Sequence, residues 1–231
     1  MIFLRSLLFH IVFYGGTIVI AFIAAPLLLA PAGFSRALGR FWGIYALFSL
    51  KLAGVHFDIN GKLDAKTPVI YAAKHQSTFE TMILYHILSA PLVVLKKELL
   101  KLPVIGRFLA RSGAIALDRS ARISALKKLR ETMQDKAGSG HNFLIFPQGT
   151  RVDYGKKAPY KVGVFALYEA ANIPVIPIAL NTGRFLPHGK LLIHPGRVQI
   201  SILPAIEAGL PRKSFMTKLE ASIEDEMDRL A

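Results

Sequence analysis

The sequence predicts an α/β fold: a mixed, mostly parallel central sheet flanked by helices, with an N-terminal membrane-embedded helical segment. Three observations lead there. From Val55 onward, short β-type runs alternate with stretches of helical period, the pattern of strands joined by crossover helices. The runs are apolar at successive positions, as expected where helices cover both faces of a sheet. Ahead of them, Leu7 to Leu29 contains no charged residue. A helix of that length reaches across roughly 30 Å of hydrocarbon.

The N-terminal element comes first. A cleaved signal peptide is the rival reading, but the run exceeds the usual apolar core of roughly 7–15 residues, and only Arg5 precedes it. Gly15-Gly16 and Pro26 are candidate kinks. A second apolar run, Phe41 to Leu50, is too short to span and reads as interfacial or re-entrant. Trp42 and Tyr45 within it suit a headgroup-level anchor. Arg36, Arg40, Lys51 and Lys62 follow the first run, so the positive-inside rule puts the remaining chain in the cytoplasm. Residues 1–54 are thus expected to anchor the chain and residues 55–231 to form an α/β domain.

The expected strands are Val55–Ile59, Val69–Ala73, Leu92–Leu95, Ala114–Leu117, Phe143–Phe146, Val175–Leu180 and Val198–Ile202. Helices are expected over Phe79–Leu88, Ile123–Met133, Val162–Ala171 and Ser214–Leu230. The last carries Phe215, Leu219, Ile223, Met227 and Leu230 on one face. Gly138-Ser139-Gly140 reads as a turn.

Composition narrows the function classes. The chain has 29 Lys+Arg against 15 Asp+Glu, a formal charge of +14, and six of those acids lie from Glu207 onward. A basic body suits an anionic lipid surface, a phosphorylated substrate or nucleic acid. The absence of Cys excludes disulfides, thiol catalysis and Cys-ligated metals. No Walker A or Gly-x-Ser-x-Gly motif is present, which leaves nucleotide hydrolysis and serine-esterase chemistry unsupported. No nucleic-acid-binding motif is present either, and nucleic acid is not an expected partner.

The second strand runs into Lys74-His75-Gln76-Ser77-Thr78-Phe79-Glu80. Ligand sites in α/β sheets lie beyond the carboxyl ends of strands, and an imidazole suits proton transfer near neutral pH. Five residues of helix turn about 500°, so His75 and Glu80 share no helical face. They meet only if His75 lies in the loop before the helix and Glu80 in its first turn. Glu80 also fits a capping box with Ser77. The two roles are compatible, because a carboxylate has two oxygens.

Downstream, Phe146-Pro147-Gln148-Gly149-Thr150-Arg151 leaves another strand. Glycine lets backbone N–H groups approach an anion, and Arg supplies a forked cation suited to phosphate. Gly113 to Arg119 offers a further strand ending in Asp118-Arg119. There Arg119 shares phosphate charge or forms a surface pair with Asp118. Lys96, Lys97 and Lys101 read as a basic face or a substrate contact.

Taken in order, these blocks resemble the glycerolipid acyltransferases, most closely the bacterial 1-acylglycerol-3-phosphate acyltransferases. That family's His–four residues–Asp block is similar to His75 through Glu80, and its Gly-to-Arg block to Gly113 through Arg119. Its Phe-Pro-Glu-Gly-Thr-Arg block looks like Phe146 to Arg151, and its two-proline block like Ile173-Pro174-Val175-Ile176-Pro177. Lys97-Glu98-Leu99 ahead of Pro103 and Gly106 also resembles the family. Two positions depart: Glu80 stands for the usual Asp, and Gln148 for the usual Glu.

The resemblance implies His75 as general base and Glu80 as its orienting carboxylate. It implies Arg119, Gly149, Thr150 and Arg151 around the acceptor phosphate, with Lys97 and Gln148 as further substrate contacts and backbone N–H groups near His75 as oxyanion donors. The implied reaction moves an acyl chain from acyl-CoA or acyl carrier protein to the sn-2 hydroxyl of lysophosphatidic acid, at a membrane, with neither metal nor cofactor. Alternatives are another lysolipid acceptor, such as a lyso-ornithine lipid or lysophosphatidylglycerol, and a non-enzymatic basic protein that binds membrane lipid.

Overall fold

A computed structural model of the chain describes residues 1–63, 67–118 and 122–230. All seven expected strands form: β1 (Val55–Asn60), β2 (Ile70–Ala73), β3 (Leu92–Lys96), β4 (Ile115–Leu117), β5 (Phe143–Ile145), β6 (Val175–Leu180) and β7 (Gly196–Ile202). They make one sheet in the order β1-β7-β6-β2-β5-β3-β4. Only β6 and β7 pair antiparallel; the other pairings are parallel, as expected.

Alternation along each strand feeds two cores. On β2, Tyr71 and Ala73 face one side, and Ile70 and Ala72 the other; β5 splits Leu144 from Phe143 and Ile145 likewise. Helices α1 (Ile2–Ala24), α2 (Ala32–Leu52) and α3 (Phe79–Ile87) cover the first side through Phe9, Phe13, Leu50 and Ile83. Helices α5 (Arg122–Ala137), α6 (Gly163–Ala171) and α8 (Arg212–Arg229) cover the second through Met133, Leu167, Phe215 and Ile223. Two short helices, α4 (Ile105–Arg111) and α7 (Thr182–Phe185), and a 3-10 turn at Lys97–Lys101 were not anticipated.

The N-terminal region differs from expectation in an informative way. Helix α1 runs unbroken through Gly15-Gly16, and the helix tightens to 3-10 geometry only at Ala25–Leu29, where Pro26 sits. Ile2–Leu29 is long and apolar enough to cross a bilayer. The second segment, however, is a 21-residue helix rather than a short interfacial run. Arg36 and Arg40 lower its hydropathy, but its buried positions Ser35, Gly43, Ala46 and Ser49 are small, which lets helices pack closely. A Cβ on Gly43 would lie 2.6 Å from the Met82 carbonyl oxygen on α3, and one on Gly39 would lie 2.6 Å from the Tyr85 ring.

Trp42 and Tyr45, expected at headgroup level, also join the two helices. Trp42 Nε1 donates to Thr17 Oγ1 at 3.0 Å, and the Tyr45 hydroxyl donates to the Val12 carbonyl at 2.5 Å, so both tie α2 to α1. Helix α1 is also fastened to the α/β body. Ser6 Oγ accepts the Ile193 N–H at 3.0 Å, and His10 Nε2 lies 2.8 Å from the Leu191 carbonyl.

Candidate active site

Strands β2, β5 and β3 are adjacent and parallel, so their carboxyl ends open on one side. There the chain places a cleft of about 830 Å³, lined by His75, Thr78, Lys96, Phe146, Gln148, Gly149, Thr150, Arg151 and Lys161 among others.

His75 lies in the loop between β2 and α3, and Glu80 is the second residue of α3. The imidazole Nδ1 contacts Glu80 Oε1 directly. Glu80 is fully buried, and each of its oxygens takes two partners. Oε1 meets His75 Nδ1 and the Gln76 N–H at 2.8 Å; Oε2 meets the Ser77 N–H at 3.0 Å and the Thr182 hydroxyl. The capping contact and the histidine contact therefore coexist, one pair per oxygen. The helix cap itself is Thr78 rather than Ser77.

This arrangement fixes the tautomer. An acceptor-only carboxylate against Nδ1 requires the proton on Nδ1. Nε2 is left with its lone pair, on a side chain 17% exposed in the cleft wall. The ring plane is set by Phe146, whose ring stacks on the imidazole at a centroid distance of 4.0 Å. An aromatic face also favours a cationic ring over it.

The backbone at His75 is clamped by the Phe146–Arg151 loop. The His75 N–H donates to Gln148 Oε1 at 3.0 Å, and the Val152 N–H donates to the His75 carbonyl at 2.8 Å. A backbone N–H can only donate, so the oxygen of the Gln148 amide must face it. A glutamate oxygen would accept the same bond, so the departure at Gln148 removes a charge and keeps the contact. The N–H groups of His75, Gln76 and Ser77 are all engaged in these bonds. The oxyanion donors that the sequence expects near His75, without locating them, are therefore to be sought at other N–H groups than these three.

Gly149 turns the loop with φ +67°, a conformation that suits glycine. Arg151 Nη1 reaches the Thr78 hydroxyl at the start of α3, which brings this cation to the cleft mouth beside His75. Lys161, missed in the sequence, lines the same wall; a Cβ on Gly149 would lie 3.6 Å from its Cγ. Lys97 lies outside the cleft lining and pairs with Asp118, which raises its pKa. The ion pair holds its ammonium at the exit of β4, beside the cleft-lining Lys96 and Leu99. Arg119 falls outside the described residues.

Several supporting residues carry no sequence signal. Thr182 follows β6 by two positions and closes the carboxylate's coordination. Gln76 Oε1 accepts the Gly183 N–H at 2.9 Å, and a Cβ on Gly183 would lie 3.0 Å from the Gln76 Cβ. Behind the site, the buried ammonium of Lys74 meets both oxygens of Glu224 on α8, at 2.6 and 2.8 Å. The Tyr160 hydroxyl donates to Glu224 at 2.9 Å. Burial and this carboxylate push the Tyr160 phenol well above its ordinary range, so it remains a donor.

A second cavity of about 410 Å³ adjoins the cleft, sharing Thr78, Thr81, Val93, Leu95 and Leu99 with it. It runs between α1, α2, α3 and α4 and is lined chiefly by apolar side chains, including Phe13, Ile20, Leu38, Met82, Phe108 and Ala114. An uncharged, elongated ligand segment fits such a lining.

Comparison with known proteins agrees with this geometry. The family model described as Acyltransferase matches residues 55–181. A 1-acyl-sn-glycerol-3-phosphate acyltransferase of Pseudomonas aeruginosa is 34% identical over 210 residues, which cover 89% of this chain and 81% of the relative. The protein of the same name from Escherichia coli is 28% identical, over 86% of this chain and 78% of its own length. Among solved structures, the 1-acyl-sn-glycerophosphate (LPA) acyltransferase PlsC from Thermotoga maritima shares the fold, with a TM-score of 0.74 and 19% identity. That alignment covers 99% of this chain and 96% of the other. With more than half its length matched by the family model, and with His75 and the Phe146–Arg151 block round one cleft, the chain belongs to the acyltransferase family.

Proposed function

We propose that the chain acylates the free sn-2 hydroxyl of lysophosphatidic acid to give phosphatidic acid, with acyl-CoA or acyl carrier protein as donor. The observation that carries the reading is the buried Glu80 carboxylate holding His75 Nδ1, with Nε2 left as the basic nitrogen of a cleft-lining imidazole beside Arg151. The names of the bacterial relatives support the substrate.

In this reading Nε2 takes the proton of the sn-2 hydroxyl as its oxygen attacks the thioester carbonyl. Glu80 stabilises the imidazolium through Nδ1, assisted by the Phe146 face. The carbon–sulfur bond then breaks, and the imidazolium returns the proton to the leaving thiolate. No covalent enzyme intermediate is required. Arg151 and Lys161 hold the acceptor phosphate with Thr150, on a turn that the Gly149 N–H closes by donating to the Phe146 carbonyl at 2.9 Å. The apolar cavity takes an acyl chain and so fixes the reacting group relative to His75.

Membrane attachment belongs to the same reading. The exposed residues Phe22, Ile23, Leu29 and Phe34 mark the tip of the α1–α2 hairpin. Both ends of that hairpin are held by the α/β body, α1 through Ser6 and His10 and α2 through the strand that follows it. In this reading the hairpin dips into one leaflet and returns, and the Arg and Lys residues that follow the first apolar run support a cytoplasmic face for the site.

Purified protein supplied with labelled acyl-CoA and a panel of lysolipids tests the reading, with products identified by mass spectrometry. Phosphatidic acid is the expected main product. Exclusive acylation of a lysolipid without a phosphomonoester would overturn the acceptor assignment.

A further inference from the structure

The segment at residues 186–195, between α7 and β7, presents two adjacent leucines to solvent. Leu191 is 76% exposed and Leu192 44% exposed. Fraying does not account for this, because the segment is tied down at several points. Leu186 and Ile193 are buried on either side. The Ile193 N–H donates to Ser6 Oγ, the His10 ring bonds the Leu191 carbonyl, and the His194 N–H donates to the Phe185 carbonyl at 2.9 Å. A rigid loop therefore holds both apolar side chains outward.

The contact at His10 puts these leucines beside a particular stripe of α1. Phe3, Leu7, Ile11, Tyr14 and Ile18 are all exposed and recur three or four residues apart, so they share a face. Position 10 abuts that face, and Leu191 extends it sideways onto the α/β body. The surroundings are basic. Arg5 and Lys190 are exposed, and no acidic residue occurs between Thr182 and Pro195 or within α1. Apolar side chains flanked by cations match the boundary of an anionic bilayer. They do not suit a second copy of a chain carrying a formal charge of +14.

Length supports the same occupant. Helix α1 has 23 residues and is roughly 34 Å long, whereas one leaflet offers only about 15 Å of hydrocarbon. A helix confined to one leaflet must lie nearer the membrane plane than the membrane normal. Its N-terminal half, and the loop bonded to it, then come down to the headgroup level.

We propose that residues 188–192 form a second membrane-insertion point. Leu191 and Leu192 enter the headgroup–acyl boundary alongside α1, and Lys190 meets anionic phosphates. The proposal rests on the membrane attachment described above but not on the identity of the reaction.

Because the chain has no cysteine, a single Leu191→Cys carries an environment-sensitive fluorophore without background. A Glu220→Cys label on exposed α8 serves as reference. Full-length protein is reconstituted into vesicles of phosphatidylethanolamine and phosphatidylglycerol. The expected result is blue-shifted emission at position 191, quenched by nitroxide lipids labelled near the headgroup, with water-like emission at position 220. Water-like emission and no lipid quenching at both positions would overturn the proposal. In addition, L191D/L192D is expected to lower turnover of vesicle-embedded acceptor about tenfold, equivalent to roughly 1.4 kcal/mol, and to leave turnover of a short-chain soluble acceptor unchanged. Equal loss on both acceptors would point to a folding defect and count against insertion. No product from the wild-type chain on either acceptor would refute the enzymatic reading while leaving the fluorescence result intact.

Discussion

Replacing Glu80 by Gln is the most discriminating perturbation of the proposed dyad, because the consequences follow from the four partners of the carboxylate. If the new NH₂ replaces Oε1, it faces the Gln76 N–H, a donor it cannot satisfy, and His75 Nδ1. The imidazole must then accept at Nδ1, which moves its proton to Nε2 and destroys the base. If the NH₂ replaces Oε2, it faces the Ser77 N–H, also a donor, and the Thr182 hydroxyl, which can rotate to accept. Either way one buried backbone N–H loses its acceptor, at a cost of about 1–3 kcal/mol.

The remaining bonds become neutral ones and weaken by about 1 kcal/mol each, while removing a buried charge offsets part of that loss. The net expectation is about 2–4 kcal/mol of destabilisation, or a fall in Tm of about 5–15 °C. Turnover should drop by about 10²–10⁴ even at temperatures where the variant is folded. Circular dichroism melts and single-turnover acyl transfer read the two effects separately. A variant with wild-type Tm and wild-type turnover would refute the reasoning, since it would mean the carboxylate charge matters neither to the loop nor to the histidine.

Other expectations follow from the buried ion pair and the cleft lining. Lys74→Met leaves the Glu224 carboxylate buried without its cation and should cost about 3–5 kcal/mol, whereas K74M/E224M should recover most of that loss in denaturant unfolding. Arg151→Ala should raise the KM for lysophosphatidic acid at least about tenfold, the value of one charge-assisted contact, and change the KM for acyl-CoA little. Ala114→Leu adds bulk to the wall of the apolar cavity and displaces two or so methylenes of a long chain, each worth ~0.8 kcal/mol. Competition between long-chain and short-chain donors should then shift about tenfold toward the shorter.

How much of this was legible depends on the range of each interaction. The strands were readable because β2, β5 and β6 are buried on both faces and therefore apolar at every position. His75 and Glu80 were readable because a strand end and a helix start lie five residues apart, which leaves one geometry in which they meet. The Glu80 capping contact and its histidine contact were both readable for the same local reason.

The rest was hidden because its partners are distant in sequence. Thr182 reaches Glu80 across 102 residues, and Lys74 reaches Glu224 across 150, so no spacing rule links them. The pairing of Lys97 with Asp118 was hidden in the same way, its partner lying twenty-one residues away at the exit of β4. Helix α2 was underestimated because two arginines interrupt its hydropathy, and its glycines make sense only against Tyr85 and Met82 of α3. That Gln148 and Glu80 would take up the N–H groups of His75, Gln76 and Ser77 was hidden because a sequence does not specify the direction of those side chains.

The base itself is tested by His75→Ala assayed in wild-type-like membranes, with lysophosphatidic acid and labelled acyl-CoA at saturating concentrations. The chain should remain membrane-bound and folded, because the ring contributes one stacking contact and one hydrogen bond to an otherwise intact loop. Phosphatidic acid formation should fall to background across the pH range. Product formation within a few-fold of wild type would contradict a general-base role for this imidazole.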